Sequence, residues 1–361
     1  MVGYSLELLR PLGAIVHGLD LAHGRPSNAT LAALERDAAD RGFLVFRDAA
    51  LPGASLLSVS EYFGSGSIAA QHTAHASSVH EDILRLSNDE SHGISGVGPQ
   101  WHSDGSFERR IFSHVLFHAQ QMPAGGGSGT QFADLAAAHA ALSPRQQDEW
   151  SRLATVNSYS GAVHPLVVRH PRSGKRSLCV HLGMVGAVIR WPHAASPALN
   201  ADRCAASLPA GYRTLEAMDA GAGPTRSCGH ELLTAHETRT LLRKINALLS
   251  RPEHSTEWGY SAHAGGGDDR RQTAGDLVVV DNLAVAHRAT TEAHEPGMGL
   301  RILHRTTVQG TWEVDAPMEA HLPPFAFIWG GNPLTGADGY WRGADHYGVG
   351  MRWNDSCAFR N

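Results

Sequence analysis

Gly275-Asp276-Leu277-Val278-Val279-Val280 leads through the turn-like pair Asp281-Asn282 to His287, and then to Arg301-Ile302-Leu303-His304-Arg305-Thr306-Thr307-Val308. The first run is β-branched, apolar and short, so it reads as a buried strand. The last alternates, so Arg301, Leu303 and Arg305 should leave one face of a strand together. Trp258 to Ala262 reads as another strand. The C-terminal half is thus expected to be mainly β, and His287 to be delivered to a strand end in the core.

Helices are expected to flank this β framework. Asn28 to Asp40 has helical apolar spacing, with Asn28 as N-cap and Gly42 as the stop, and Phe43-Leu44-Val45-Phe46 follows as a buried strand. A second helix follows Asp134, and Ser143-Pro144 supplies the cap and first position of a third. The best-marked helix begins at Thr234, where Thr-Ala-His-Glu forms a capping box and Leu241, Leu242, Ile245, Leu248 and Leu249 form the stripe. It should end before Pro252.

With 361 residues, 42% of them hydrophobic, the chain can bury one large core or two modest ones. No repeat and no clear linker divides it, so 1–361 reads as a single catalytic domain. The stretch 194–227, rich in Ala, Pro and Gly, reads as an insertion and candidate lid, and 311–361 as a C-terminal extension. Lys and Arg total 30 against 35 for Asp and Glu, and no basic run tracks phosphates, which argues against nucleic acid. Met1 to Leu21 lacks the pattern of a signal peptide, and no apolar run approaches the roughly 18 residues of a membrane span. Cys179, Cys204, Cys228 and Cys357 are scattered without a CxxC pair, which disfavours a disulfide framework or structural zinc and fits a cytoplasmic setting. A small-molecule substrate is the expected partner, and a homo-oligomer is left open.

The chemistry concentrates at Trp101-His102-Ser103-Asp104. In extended chain, residues two apart share a face, so His102 and Asp104 can grip one metal ion. His287 is the natural third ligand of a two-His, one-carboxylate facial triad, which leaves open positions on non-heme iron. If Arg301 and Arg305 face inward, both need anions. A bidentate carboxylate pair is the usual remedy, and it suits a dicarboxylate co-substrate. Two His and one carboxylate also suit zinc, so a metal-dependent hydrolase is a rival reading, and a non-catalytic small-molecule-binding barrel is another. The arginines argue against the first and the intact triad against the second.

The order of short motifs resembles the TauD/TfdA family of Fe(II)/2-oxoglutarate-dependent oxygenases. The matching pieces are Pro11-Leu12-Gly13-Ala14, Gly18-Leu19-Asp20-Leu21, Gly42 to Asp48, Trp101 to Phe107, Gly125-Gly126-Gly127 to Asp134, His164 to Pro171, Val280 to Thr290, and Arg301 to Arg305. The resemblance implies a double-stranded β-helix, or distorted jelly roll, with flanking α-helices and with Fe(II) at one open end on His102, Asp104 and His287. It implies 2-oxoglutarate as co-substrate with O2, its distal carboxylate on Thr130 and Arg301, and Arg305 near the proximal carboxylate or a substrate anion. It also places His72, His75 and Asn88 near the substrate. The expected outcome is hydroxylation of a small polar or anionic metabolite with release of succinate and CO2. The span from His287 to Arg301 is longer than in the taurine enzyme, and the insertion and tail have no counterpart there.

Overall fold

The computed structural model describes residues 3–311 apart from 71–73, 109, 125–127, 158–161, 191–225, 228–229 and 260–272. In chain order its strands are β1 Ser5–Leu8, β2 Ala14–His17, β3 Phe43–Phe46, β4 Leu84–Ser87, β5 His114–Gln121, β6 Thr130–Asp134, β7 Leu153–Asn157, β8 Val163–Pro165 and β9 Val167–Arg169. They continue with β10 Arg176–Leu178, β11 Val185–Arg190, β12 Arg226–Ser227, β13 His230–Leu232, β14 Ser255–Trp258, β15 Leu277–Asp281, β16 Val285–Ala289 and β17 Ile302–Val308. The α-helices are α1 Asn28–Arg41, α2 Ser55–Ser60, α3 Leu135–Ala140, α4 Pro144–Trp150 and α5 Ala235–Leu249.

A seven-stranded sheet runs β1-β2-β3-β15-β5-β17-β4, and a three-stranded sheet runs β14-β6-β16. The all-apolar run of β15 explains how these layers stack. Leu277 and Val279 join Leu31, Leu34, Leu56 and Val59 of α1 and α2 in one core, whereas Val278 and Val280 join Phe43, Phe117, Phe132 and Trp258 in another. Successive side chains point to opposite faces, so the large sheet is covered by helices on one side and by the small sheet on the other. Phe43 and Phe132 stack across that second interface with centroids 4.3 Å apart.

A third core lies behind Trp101. A five-stranded sheet, β12-β13-β11-β7-β8, packs with α3, α4 and the apolar stripe of α5, and Trp101, fully buried, sits in this cluster. Each such fully buried large side chain contributes about 1.5–3 kcal/mol. Trp101 Nε1 also donates to Ser250 Oγ at 2.9 Å. The chain entering His102 is thereby fixed before the ligand is reached.

The local capping chemistry holds at α3, where Asp134 accepts from Ala136 and Ala137, and at α4 and α5, where Ser143 and Thr234 form capping boxes with Gln146 and Glu237. Two expectations need correction. Ser27, not Asn28, caps α1, because its extended backbone lets Oγ accept from Thr30 N; Asn28 is the first helical residue and the helix runs to Arg41. The expected strand from Trp258 to Ala262 is instead Ser255–Trp258, and Gly259 follows at φ +127 with its Cα side against Gly129, where a Cβ would lie 2.3 Å from Gly129 Cα. Residues 260–262 fall outside the described residues, as do His72, nearly all of 194–227 and 312–361.

Candidate active site

His102 pairs with a neighbour on either side. Its N–H donates to His287 O at 3.1 Å and its carbonyl accepts from His287 N at 2.9 Å, an antiparallel bridge that seats the chain beside β16. A second bridge joins His102 to His181. Directly opposed residues share a sheet face. Three imidazoles therefore stand in a row, with centroids 4.2 Å apart for His102 and His287 and 4.8 Å apart for His102 and His181.

Asp104 closes the cluster. Its two oxygens lie 3.6 Å from His102 Nε2 and 3.7 Å from His287 Nε2, and the three candidate ligand atoms fall within 4.8 Å of one another. All three residues are buried. His102 Nδ1 lies 2.7 Å from the Gln100 carbonyl, which can only accept, so Nδ1 carries the proton and Nε2 turns its lone pair toward the cluster. Gly98 stands against this ring; at φ +73, a Cβ there would come within 3.1 Å of His102 Cε1.

The turn from β15 to β16 holds Asp104 through its peptide. Asn282 Oδ1 accepts from Asp104 N at 2.8 Å, while Asn282 Nδ2 donates to Asp104 O at 2.8 Å and to Phe112 O at 2.7 Å. Asp281 caps the same turn, accepting from Leu283 N and Ala284 N, with His170 Nε2 at 3.0 Å.

Burial sets the protonation of the cluster. It pushes His287 down to about 3, with His102 adding to the effect, and it lowers His102 and, further, His181. Burial alone would raise the Asp104 carboxyl, but its neighbours, the Arg305 guanidinium first among them, outweigh it and hold it at about 2. Two neutral imidazoles and one carboxylate are the protonation states a divalent ion needs.

Arg301, Leu303 and Arg305 line one cleft with Thr130, His102 and His287, a space of about 450 Å³ including its open mouth. The two arginines differ in partner. Arg305 Nη1 lies 3.2 Å from both oxygens of Asp104. Arg301 is buried, gives Nε to Ser128 O at 2.9 Å and Nη2 to Thr130 Oγ1 at 3.5 Å, and meets no carboxylate among the described residues. Burial lowers its guanidinium to about 10, still fully charged at neutral pH. A buried cation facing a cleft without a counter-ion fits an anionic ligand, such as the far carboxylate of a dicarboxylic acid.

Of the residues expected at the substrate, Arg305 lines the cleft and His72 lies outside the described residues, while Asn88 and His75 are not among the residues lining it. Asn88 is buried with its carboxamide engaged elsewhere: Nδ2 donates to Glu295 O and Gly299 O, and Oδ1 accepts from Arg301 N. It positions Arg301 instead of facing the cleft. His75 has one ring nitrogen 3.1 Å from Glu90 O and the other accepting from Ser77 N.

Sequence reasoning passed over three groups. His181 joins the imidazole row only through strand pairing, with a buried Nδ1 that meets no partner among the described residues. Arg288 lies over the Trp101 ring at 4.4 Å and donates to Gln131, tying β16 and β6 to the segment that carries His102. His294, which lines the cleft, sits in the span between β16 and β17.

Comparison with known proteins gives a family and a fold. The family described as "Taurine catabolism dioxygenase TauD, TfdA family" matches residues 5–307. Over 143 residues, 30% of this chain and 48% of the relative, the sequence is 29% identical to pentalenolactone F synthase of Streptomyces arenae. The chain spans about half the length of the curated relatives it matches. A taurine dioxygenase from Burkholderia xenovorans superposes with a TM-score of 0.60 at 21% identity, covering 85% of this chain and 91% of that one. AAD-2, solved with Mn(II) and N-oxalylglycine, gives 0.59 at 21% identity, covering 86% and 98%. These structures share the fold.

Proposed function

Because the chain belongs to the TauD/TfdA family of Fe(II)- and 2-oxoglutarate-dependent dioxygenases, we propose that it hydroxylates a small polar or anionic metabolite, converting 2-oxoglutarate and O2 to succinate and CO2. The observation that carries this reading is the buried Arg301, without a carboxylate partner among the described residues, in the same cleft as His102 and His287. A zinc hydrolase needs no such pocket. The sandwich of large and small sheets is read as the double-stranded β-helix of the family, with the site between its layers.

When bound, iron with its co-substrate supplies the oxidising chemistry, and the chain's own residues aim it and exclude water. His102 and His287 offer Nε2 and Asp104 an oxygen, held by the bridge between the two histidines and by Asn282. Thr130 and Arg301 hold the far carboxylate, while Leu86, Phe117 and Leu303 form the apolar wall beside them. Arg305, already beside Asp104, is available to a second anion near the metal, either the near carboxylate or a substrate group.

The deciding experiment measures succinate release with Fe(II), 2-oxoglutarate and a panel of sulfonates, carboxylates, phosphonates and amino-acid derivatives, with product mass recorded. His102→Ala and His287→Ala should abolish it. Full turnover by an iron-free, zinc-loaded protein would sink the dioxygenase reading. A preferred substrate without charge, turned over equally by Arg305→Ala, would remove only the anion-pocket element.

A further inference from the structure

The span between β16 and β17 folds back onto the cleft. Glu292–His294 makes one 3-10 turn and Pro296–Met298 a second. Between and after them, the carbonyls of Glu295 and Gly299 accept from Asn88 Nδ2 at 3.1 and 2.8 Å, while Asn88 Oδ1 accepts from Arg301 N at 2.9 Å. One buried carboxamide at the end of β4 therefore fixes both this span and the backbone of Arg301. It also fixes His294 relative to Arg301.

Ala293, buried at 1% exposure, and the half-buried His294 line the same cleft as Thr130 and Arg301. The polar residues of the cleft fall into two groups: His102, His287 and Arg305 gather around Asp104, whereas Arg301 bonds Thr130 and lies near enough to His294 to act on its charge, and Leu86, Phe117 and Leu303 also line the space. A ligand with a chelating group at one end, a short methylene stretch and a carboxylate at the other matches this arrangement.

Such a carboxylate has about four lone-pair sites. Arg301 has given Nε to Ser128 O and one N–H of Nη2 to Thr130 Oγ1, which leaves Nη1 and the second N–H of Nη2 for the ligand, and the Thr130 hydroxyl can donate its own hydrogen. Burial, then the neighbouring Arg301, push His294 down to about 4, so its imidazole is neutral near pH 7. A neutral imidazole can donate one N–H without placing a second buried cation beside the guanidinium.

We propose that His294 is a co-substrate-binding residue, donating a hydrogen bond to the far carboxylate of the 2-oxoacid that Arg301 and Thr130 hold. The inference rests on the dioxygenase reading above and names a contact supplied by the span between β16 and β17. It makes that span part of the selection for dicarboxylic over monocarboxylic 2-oxoacids.

Calorimetric titration of Mn(II)-loaded protein tests this without turnover, using 2-oxoglutarate and 2-oxopentanoate, which shares the chelating end and chain length but lacks the far carboxylate. His294→Ala should weaken 2-oxoglutarate about tenfold, the scale of one hydrogen bond to a charged group, and leave 2-oxopentanoate unchanged. His294→Gln, which keeps an N–H donor, should recover most of the loss. Equal weakening of both ligands, or no weakening of 2-oxoglutarate, overturns the proposal. If the wild-type protein binds 2-oxoglutarate no better than 2-oxopentanoate, the co-substrate reading itself fails, a result visible before any variant is made.

Discussion

Arg301, just ahead of β17, and Arg305, within it, line the same cleft, yet the fold treats them differently. Arg305 rests on Asp104, whereas Arg301 is held in place by a carbonyl and a hydroxyl that neutralise none of its charge. The proposed co-substrate supplies that missing charge. Truncating one partner of a buried charged pair costs about 2–5 kcal/mol, so Arg301→Ala should raise the 2-oxoglutarate requirement by between tens and thousands of fold. The same variant isolates the contact in a second way. A ligand bound only by the folded state raises the melting temperature, so 2-oxoglutarate should stabilise the metal-loaded wild type and have much less effect on Arg301→Ala. An unchanged thermal shift would locate the anchor on another residue.

The elements that position the site are short and held by side chain to backbone bonds, and the β15–β16 turn is the clearest case. Asn282 is fully buried and makes three hydrogen bonds, two of them to the peptide groups flanking Asp104. Asn282→Ala would leave these groups and Phe112 O unsatisfied, at a cost on the order of 1–3 kcal/mol for each that water cannot reach. A lower melting temperature and weaker Mn(II) binding by calorimetry are expected together. Normal metal affinity in a destabilised variant would show that the turn supports the fold and not the ligand. This turn also marks the limit of what the sequence discloses. Asp281-Asn282 reads as a turn, and the capping boxes at Ser143 and Thr234 are legible because a cap involves residues three apart. The apolar run of β15 and the shared face of Arg301 and Arg305 follow from a two-residue period. His181 beside His102, Arg288 over Trp101 and the carboxamide of Asn88 under Arg301 depend on pairing across tens to hundreds of residues, and local pattern carries no trace of that register. Asn88 was legible as a polar residue near the site, but its partners were not.

At the scale of the molecule, buried histidines held neutral couple stability to pH. Burial lowers His114, His118 and His139, and takes His164 and His304 down to about 4 from the ordinary 6.5. In the unfolded chain these rings take up protons near pH 6.5; in the folded chain His164 and His304 do so only near pH 4. Between those values the unfolded state binds more protons, so stability falls as pH falls, by up to about 1.4 kcal/mol per pH unit for each such ring. Above pH 6.5 both states are neutral and the effect vanishes. His304 offers a direct test because it is not among the cleft-lining residues and is paired with Arg85 of β4: its Nε2 lies 2.9 Å from Arg85 Nη1, which can only donate, so protonation would oppose two cations at hydrogen-bond distance. His304→Gln keeps an acceptor for Arg85 and removes the titrating group. Urea midpoints measured on metal-free protein from pH 7 to 5 should therefore fall less steeply for His304→Gln than for the wild type. Parallel slopes would mean that the folded state accommodates a charged His304, and that the acid sensitivity comes from the other buried rings.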